Sequence, residues 1–326
     1  MTHPRQWLHR QRSMIRARRP GGKDTPPPRQ TRRWLSRWLV LLMLVGIGIP
    51  PVLATPTGPA IVLVTQALPD SRANVREALE GKLRQRFPGH EVRWAVLPGS
   101  EAAPEPATGL PHPPPLPQVL VELKDAGQTR VVVQPLSLLP GVAEAELLAP
   151  VHKTPGLNIA WGKPLLGSLP DRQRFLTTLS QIFTPGKDQA VFIVGTGSKN
   201  PAILREYLAL YTLLLAKFKD KNLFLGTSHA LPEIKTALAA VKKASANNVT
   251  IVPLPDYLDK SASPQLLAAA AACQQELSGI VSGKITVWQE DLGAHDGILS
   301  IYGDHVAAAL ETLAPKKPER KKRGRK

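Results

Sequence analysis

Short runs of apolar, β-branched residues alternate with longer Ala-, Leu- and Lys-rich runs in the second half of the chain. The apolar runs begin near Val191, Asn222, Val249 and Ile285, and each stops at a glycine, a polar residue or a proline. Their spacing of roughly 30 residues suits a strand, a helix and two short loops, as in a right-handed βαβ crossover. The pattern therefore predicts a parallel sheet that is covered on both faces.

The first half shows the same alternation. Apolar strands are predicted at residues 60–65, 90–97, 130–135 and within 157–166, with helices at 72–87 and 171–183. A Pro-rich loop over residues 98–117 interrupts the pattern. With a hinge at residues 184–186, the sequence predicts two similar doubly wound α/β domains with parallel sheets, at residues 55–184 and 185–314.

Two polar segments follow predicted strands of the second half. Ligands of doubly wound sheets bind outside the carboxyl ends of the strands, so we expect a site there. These segments contain Gly195, Thr196, Gly197, Ser198, Asn200, Gly226, Thr227 and His229. The helix after the first segment lacks the Lys-Ser/Thr ending of a P-loop, and no nucleotide cofactor is expected.

The net charge of +17 comes from the two ends of the chain. Residues 1–37 carry eleven Lys and Arg, residues 315–326 carry eight, and residues 38–314 hold equal numbers of basic and acidic side chains. Basic tails of this kind are usually solvated and contact anionic surfaces only weakly. The body also lacks interleaved basic and aromatic residues, so specific nucleic-acid binding is not expected.

Residues 38–54 form an uncharged, apolar stretch of 17 residues after the basic segment. This length is the lower limit for a membrane span, and Pro50 and Pro51 shorten the usable helix. We expect a secretion signal, with an uncleaved membrane anchor as the alternative; either one places the body outside the cytoplasm, in the periplasm or at the inner membrane. The single cysteine, Cys273, is predicted to be a small apolar residue on a buried helix face.

Several sequence blocks resemble one known family in order and spacing. They are FPGHEVRWAV, VVVQPLSLLPG, WGKPLL, VFIVGTGSKNPAILREYLAL, LFLGTSHALPEI, VTIVPLPDYLDKSA and DLGAHDGILSIYGDHV. They resemble the anaerobic sirohydrochlorin cobaltochelatases, class II chelatases related to ferrochelatase, over residues 60–312.

The resemblance implies two α/β domains with a cleft that holds a tetrapyrrole while Co²⁺ is inserted and pyrrole protons are removed. It implies a divalent metal as substrate. Because they lie at a strand end beside a helix N-terminus, Thr196, Ser198 and Asn200 are expected to hold a carboxylate of a tetrapyrrole side chain. The predicted tetrapyrrole contacts also include Gly195, Gly197, Gly226 and Thr227. The resemblance also implies three site side chains: a histidine after the strand that ends in QPL, a glutamate in a GT-x-E-G turn and a histidine in a GDHA turn. Neutral imidazoles and carboxylates suit a borderline divalent ion and accept protons near neutral pH.

This sequence departs from the family at those positions. Ser137 follows QPL, His229 takes the place of the glutamate, and Ser261 takes the place of the second histidine. The family's GHGT-x-H motif becomes GTGSKN at residues 195–200, which removes two further histidines. Neutral hydroxyls are poor ligands beside imidazole or carboxylate, so the fold is kept while the metal site is dismantled.

His229 is the residue that we expect to act in the site, as a ligand to a metal or to the iron of a bound haem. The alternative is a loop histidine hydrogen-bonded near the start of the next helix. Two residues near the C-terminus are expected to be structural: His305 on the apolar face of the last helix and Asp296 as its N-cap.

Three classes of function stay open from the sequence. One is a cobaltochelatase-like enzyme of tetrapyrrole or cobalamin metabolism that binds a tetrapyrrole and inserts metal poorly or no longer. The second is a non-catalytic, exported carrier or sensor of haem or another tetrapyrrole. The third is a structural remnant that presents basic tails at the membrane. Homo-oligomerisation stays open as well.

Overall fold

The computed structural model describes residues 58–66, 73–97, 113–141, 154–219, 221–257 and 263–314. Within these residues the chain forms two four-stranded parallel sheets flanked by helices. The elements of the first part are β1 (Ala60–Thr65), α1 (Ala73–Arg86), β2 (Val92–Val96), α2 (Leu116–Asp125), β3 (Arg130–Pro135), β4 (Asn158–Trp161) and α3 (Leu169–Ile182). Those of the second part are β5 (Gln189–Gly197), α4 (Pro201–Lys217), β6 (Leu223–His229), α5 (Ile234–Lys243), β7 (Asn248–Leu254), α6 (Pro264–Ser278), β8 (Ile285–Val287) and α7 (Asp296–Leu313).

The two sheets repeat one topology. Their strand orders are β2-β1-β3-β4 and β6-β5-β7-β8, and every pairing is parallel. In each sheet the second strand along the chain pairs with one edge of the first strand. The third strand pairs with the other edge of the first strand, and the fourth follows the third. The winding therefore reverses between β1 and β3 and between β5 and β7, as in a doubly wound fold. The predicted fold class is confirmed.

The strands form where the sequence is continuously apolar, because both faces of each sheet are covered. All six residues of β1 are buried. Side chains along β5 point alternately to the two faces of the sheet. Val191 and Ile193 therefore pack in the larger core, and Phe192 and Val194 pack in a second, smaller one. The larger core contains residues from both sheets, so the two halves share one hydrophobic interior.

The last helix, α7, packs against the first sheet. It contacts β3, β4, α1 and α3. The hydroxyl of Tyr302 donates a 2.8 Å hydrogen bond to the carbonyl of Leu136, just after β3. The chain-order division at residue 184 stays a prediction, but packing associates this helix with the first half.

His305 lies on the buried face of α7, as predicted. Its Nδ1 is 2.9 Å from the carbonyl of Lys163, and its Nε2 is 3.1 Å from the carboxylate of Asp171 on α3. The ring therefore ties α7 to α3 and to the loop after β4, which confirms a structural role.

Two local predictions were wrong. The loop predicted to end at residue 117 ends earlier, because α2 begins at Leu116; Pro117 lies in its first turn, where a missing N–H is tolerated. Asp296 is not the N-cap of α7. His295 holds that position without a capping side chain, and Asp296 forms a 2.6 Å ion pair with Lys82 on α1.

Cys273 lies buried on α6, as predicted, and burial raises the pKa of its thiol to about 11. The predicted basic tails, the apolar stretch 38–54 and most of the Pro-rich loop lie outside the described residues. Within the described segments, no helix is both long enough and apolar enough to cross a membrane.

Asp304 on α7 is the basis of a stability prediction. Its carboxylate is 2.7 Å from Arg86 of α1 and 2.7 Å from Arg174 of α3. Burial raises the pKa of Asp304, but hydrogen bonds and charge from the two arginines outweigh it, so its pKa lies below the usual range. The contribution of the pairs to stability is therefore present at neutral pH and is lost as the pH falls through that lowered pKa.

We expect Asp304→Asn to lower the free energy of unfolding by about 1 kcal/mol at pH 7, a small value because all three side chains are partly solvated. The difference from the parent protein should shrink below about pH 4. Urea unfolding at several pH values measures it. Glu311→Gln, an exposed carboxylate on the same helix with no ion pair in the described part of the chain, is the control. A constant difference at all pH values would contradict the ion-pair explanation.

Candidate functional site

The carboxyl ends of β5, β6 and β7 lie side by side at one edge of the second sheet. Strand β5 is central, with Gly197 paired to His229 of β6 and Gly195 paired to Leu254 of β7. Thr196 therefore lies between the two flanking strands, at the point where the sheet's winding reverses. This is the edge at which the sequence predicts a site.

His229 lies exposed at the end of β6. Its Nδ1 is 3.2 Å from the carbonyl of Thr196 and 3.2 Å from the hydroxyl of Ser228, which itself donates to that carbonyl at 2.8 Å. These contacts direct Nδ1 toward β5. No hydrogen-bond partner of Nε2 is found among the described residues.

Thr227, predicted as a tetrapyrrole contact, is buried within the turn that follows β6. Its hydroxyl lies 3.1–3.2 Å from the carbonyls of His229, Ala230 and Pro232. Its N–H donates to the carbonyl of Pro232 at 2.7 Å. The side chain holds the turn that presents His229, which gives it a structural part in the site.

The glycines of this edge are required by close packing. Gly197 has a φ of +71°, and a Cβ there would lie 2.1 Å from the carbonyl oxygen of His229. A Cβ on Gly195 would lie 3.1 Å from the ring of Tyr207, and one on Gly226 would lie 2.8 Å from the Cα of Ile234. The three glycines allow strands, turn and helices to approach one another at this edge.

Ser198 and Asn200 form the start of α4. The side-chain oxygen of Asn200 accepts a 2.9 Å hydrogen bond from the N–H of Ala202 and so caps the helix. The hydroxyl of Ser198 accepts from the N–H of Asn200 at 3.1 Å. Among the described residues, no acceptor is found for the hydroxyl hydrogen of Ser198 or the amide nitrogen of Asn200, two groups that could donate to a carboxylate at this helix N-terminus.

Ser137 lies where the two sheets meet. It pairs with Tyr257 in an isolated antiparallel bridge, and the N–H of Leu138 donates to the carbonyl of Asp256 at 2.7 Å. The segments after β3 and β7 are thus joined through their main chains. The Ser137 side chain is buried, and its hydroxyl has no hydrogen-bond partner among the described residues. Ser261 lies outside the described residues.

Asp256, two residues after β7, lies at the same edge and is a candidate site residue that the sequence analysis missed. It accepts a 3.2 Å hydrogen bond from the buried hydroxyl of Tyr207 on α4. Burial of the carboxyl group raises the pKa of Asp256, although the nearby side chains of Thr196 and Tyr207 act in the opposite direction. Burial and the nearby Asp256 carboxylate likewise raise the pKa of Tyr207.

The signal in the sequence was an aspartate directly after a predicted strand. Its meaning depends on Tyr207, 49 residues away, and on the adjacency of β5 and β7. The edge therefore presents one imidazole and one carboxylate on opposite sides of Thr196. Two strand spacings separate their backbones, a distance of about 10 Å.

No group of three or more His, Cys, Asp or Glu side chains that could hold a metal ion occurs in the described part of the chain. His229, predicted as a metal ligand, therefore belongs to no such group among the described residues. Two surface cavities, of about 390 and 460 Å³, flank α3 instead. The described residues that line them include none of the predicted site residues.

Comparison with known proteins gives one family. The family model described as "Cobalt chelatase (CbiK)" matches residues 60–311. A curated relative, sirohydrochlorin cobaltochelatase CbiKC of Nitratidesulfovibrio vulgaris, is 25% identical over 245 residues, which are 71% of this chain and 83% of that protein.

Solved structures of similar fold include sirohydrochlorin chelatases. SirB from Bacillus subtilis with Fe³⁺ has a TM-score of 0.56 at 18% identity and covers 78% of this chain and 97% of its own. SirB from Bacillus subtilis subspecies spizizenii in complex with cobalt has a TM-score of 0.54 at 17% identity, covering 78% and 96%. At these identities the likeness concerns the fold.

Gly197 generates a prediction about the edge itself. We expect Gly197→Ala to lower the free energy of unfolding by about 3 kcal/mol, because it adds a strained positive φ to a backbone clash. Urea unfolding measures the change. Gly186→Ala is the matched control, since a Cβ there meets nothing within 4 Å. A Gly197→Ala protein as stable as the control would contradict the packing of this turn.

Proposed function

We propose, from the premise that this chain belongs to the cobalt chelatase (CbiK) family, that it binds a tetrapyrrole at the carboxyl edge and no longer inserts Co²⁺ rapidly. The family binds tetrapyrroles and takes a divalent metal as its substrate. The α4 N-terminus and the exposed imidazole of His229 support retention of the macrocycle site. The ligand set supports loss of rapid insertion.

The observation that carries the proposal is Ser137. The family resemblance implies an imidazole there, and this chain has a buried hydroxyl without a partner in the described residues. A neutral hydroxyl binds Co²⁺ weakly and is a poor proton acceptor near neutral pH. His229 alone does not replace the several metal ligands that the family resemblance implies, because tight binding of Co²⁺ needs more than one strong ligand.

A second candidate is a haem carrier or sensor, and the exposed His229 favours it. Its Nδ1 faces β5, and Nε2 is directed to no described partner. A histidine held in this way can ligate the iron of a bound haem. This candidate needs no metal insertion and uses the same edge.

The test is an absorbance titration of the full chain with sirohydrochlorin and with haemin, with and without Co²⁺. We expect a saturable spectral change with sirohydrochlorin and no cobalt insertion above the rate without protein. His229→Ala should abolish any Soret shift of haemin and leave sirohydrochlorin binding in place. His90→Ala, an imidazole held at the amino end of the first sheet, is the control.

The outcomes separate the candidates. Cobalt insertion well above the protein-free rate would contradict the loss of activity. A haemin shift that His229→Ala leaves unchanged would contradict the haem-ligand role. An unchanged spectrum with both tetrapyrroles would contradict binding at this edge.

We further propose that the body acts outside the cytoplasm, on the basis of the basic segment 1–37 and the apolar stretch 38–54. Expression of the full chain in a bacterium, followed by fractionation and mass determination, tests this. We expect a periplasmic product cleaved near residue 54. An uncleaved product in the membrane fraction would support the anchor, and a product confined to the cytoplasm would contradict export. Deletion of residues 38–54 is the matched control and should retain the protein in the cytoplasm.

A further inference from the structure

We infer that Asp256 is the hydrogen-bond acceptor for the pyrrole N–H groups of a metal-free tetrapyrrole, so that this edge selects the free macrocycle over its metallated form. The inference rests on the proposed function, because it assigns a residue and a substrate form to the same edge. It assigns this role to a carboxylate outside the three positions that the family resemblance indicates.

The position of Asp256 in the topology is the first argument. It follows β7 at the point where the winding of the second sheet reverses, between β5 and β7. Ligands of doubly wound sheets bind outside the carboxyl ends of the strands at this point. The carbonyl of Asp256 also accepts from Leu138, so the residue lies where the segments after β3 and β7 meet.

The surroundings of the carboxylate are the second argument. Asp256 as a residue keeps exposed surface, whereas its carboxyl group is surrounded closely enough for burial to raise the pKa. The exposed surface of Asp256, just after β7, makes the residue accessible to a ligand at this edge.

The third argument is that the carboxylate is held in place. The hydroxyl of Tyr207 donates to Oδ1 at 3.2 Å, and the Thr196 side chain lies near enough to lower the pKa of the carboxyl group. Tyr207 is fully buried, and Gly195 makes room for its ring. A carboxylate can accept about four hydrogen bonds, so capacity remains after the one from Tyr207.

The chemistry then distinguishes the two forms of the ligand. A metal-free tetrapyrrole carries N–H donors at its centre, and these donors need an acceptor once water is excluded. A metallated tetrapyrrole has no such donors, so a carboxylate beside its nitrogens gains nothing from them. A charged acceptor contributes about twice as much as a neutral one to such a hydrogen bond.

The decisive experiment measures dissociation constants of the full chain for metal-free sirohydrochlorin and for its cobalt complex, by absorbance or fluorescence quenching. Asp256→Asn should weaken binding of the metal-free form about tenfold and leave the affinity for the cobalt complex within about twofold. Asp188→Asn, an exposed carboxylate just before the opposite end of β5, is the matched control and should change neither affinity.

The pH profile gives a readout that a purely structural role would not alter. In the parent protein, affinity for the metal-free form should fall as the pH drops through the raised pKa of Asp256, because the protonated group loses its charge. Asp256→Asn should lack this step. Tyr207 is the ionisable side chain that contacts the carboxylate among the described residues, and its raised pKa keeps it neutral throughout this range.

Tyr207→Phe provides a second variant that retains the carboxylate. It removes one positioning hydrogen bond and preserves the buried ring, so we expect about a threefold loss for the metal-free form alone. Thermal unfolding of each variant establishes that the comparison is made on folded protein.

The outcomes distinguish this inference from the function on which it rests. If the parent protein binds both forms and Asp256→Asn changes neither affinity, or lowers both equally, the inference is wrong and the proposed function stands. If the parent protein binds no tetrapyrrole, both are wrong. Loss confined to the metal-free form, together with loss of the pH step, supports both.

Discussion

The structure depends on one constraint: each of its parallel sheets is apolar on both faces and needs cover on both. In the first sheet β1 is buried at every position, and much of the cover on one side comes from α7, the last element in the chain. The hydrogen bond from Tyr302 to Leu136 and the contacts of His305 with Lys163 and Asp171 fix that helix in place. The first half is therefore complete only when the C-terminal residues have folded onto it.

The same constraint brings the two carboxyl edges together. Once α7 returns to the first sheet and the two halves share a core, the segments after β3 and β7 lie within hydrogen-bond distance, as the 2.7 Å contact between Leu138 and Asp256 shows. Strand order then decides which groups lie together. The carbonyl of Thr196 on the central strand contacts His229 on one side, and the side chain of Thr196 lies near Asp256 on the other. The geometry of the edge follows from packing and does not require a metal-ligand set to hold it.

The strands and most helices could be predicted from the sequence, because continuous burial produces unbroken apolar runs such as those of β1, β3 and β5. The ends of the helices and strands were harder to predict. Prolines around Leu116 indicated a loop, yet proline is compatible with the first turn of a helix. Asp296 resembled a cap, but Lys82, 214 residues away, provides the contact that it makes. Pairings at such a separation are set by the tertiary fold and leave no local pattern.

At the site, too, local sequence patterns are informative, whereas contacts between distant residues are not visible in the sequence. The sequence predicts a site at the edge where the structure brings β5, β6 and β7 together and exposes His229, and the role of this edge stays a prediction. The sequence does not show that the hydroxyl of Thr227 contacts carbonyls of its own turn, or that Gly195 and Gly197 accommodate neighbouring groups. It gives no sign of Asp256 as a candidate, because the contact of this aspartate with Tyr207 depends on the tertiary fold.

Binding a metal cation and binding an N–H donor require different side chains. A hydroxyl at Ser137, where the family resemblance implies an imidazole, is a weak ligand for Co²⁺. A single carboxylate such as Asp256, held by the hydroxyl of Tyr207, can accept a hydrogen bond without any partner ligand, whereas tight metal binding requires several ligands in one geometry. Under the proposed function, metal insertion is lost while recognition of the tetrapyrrole persists, because the two rest on different side chains of the same edge.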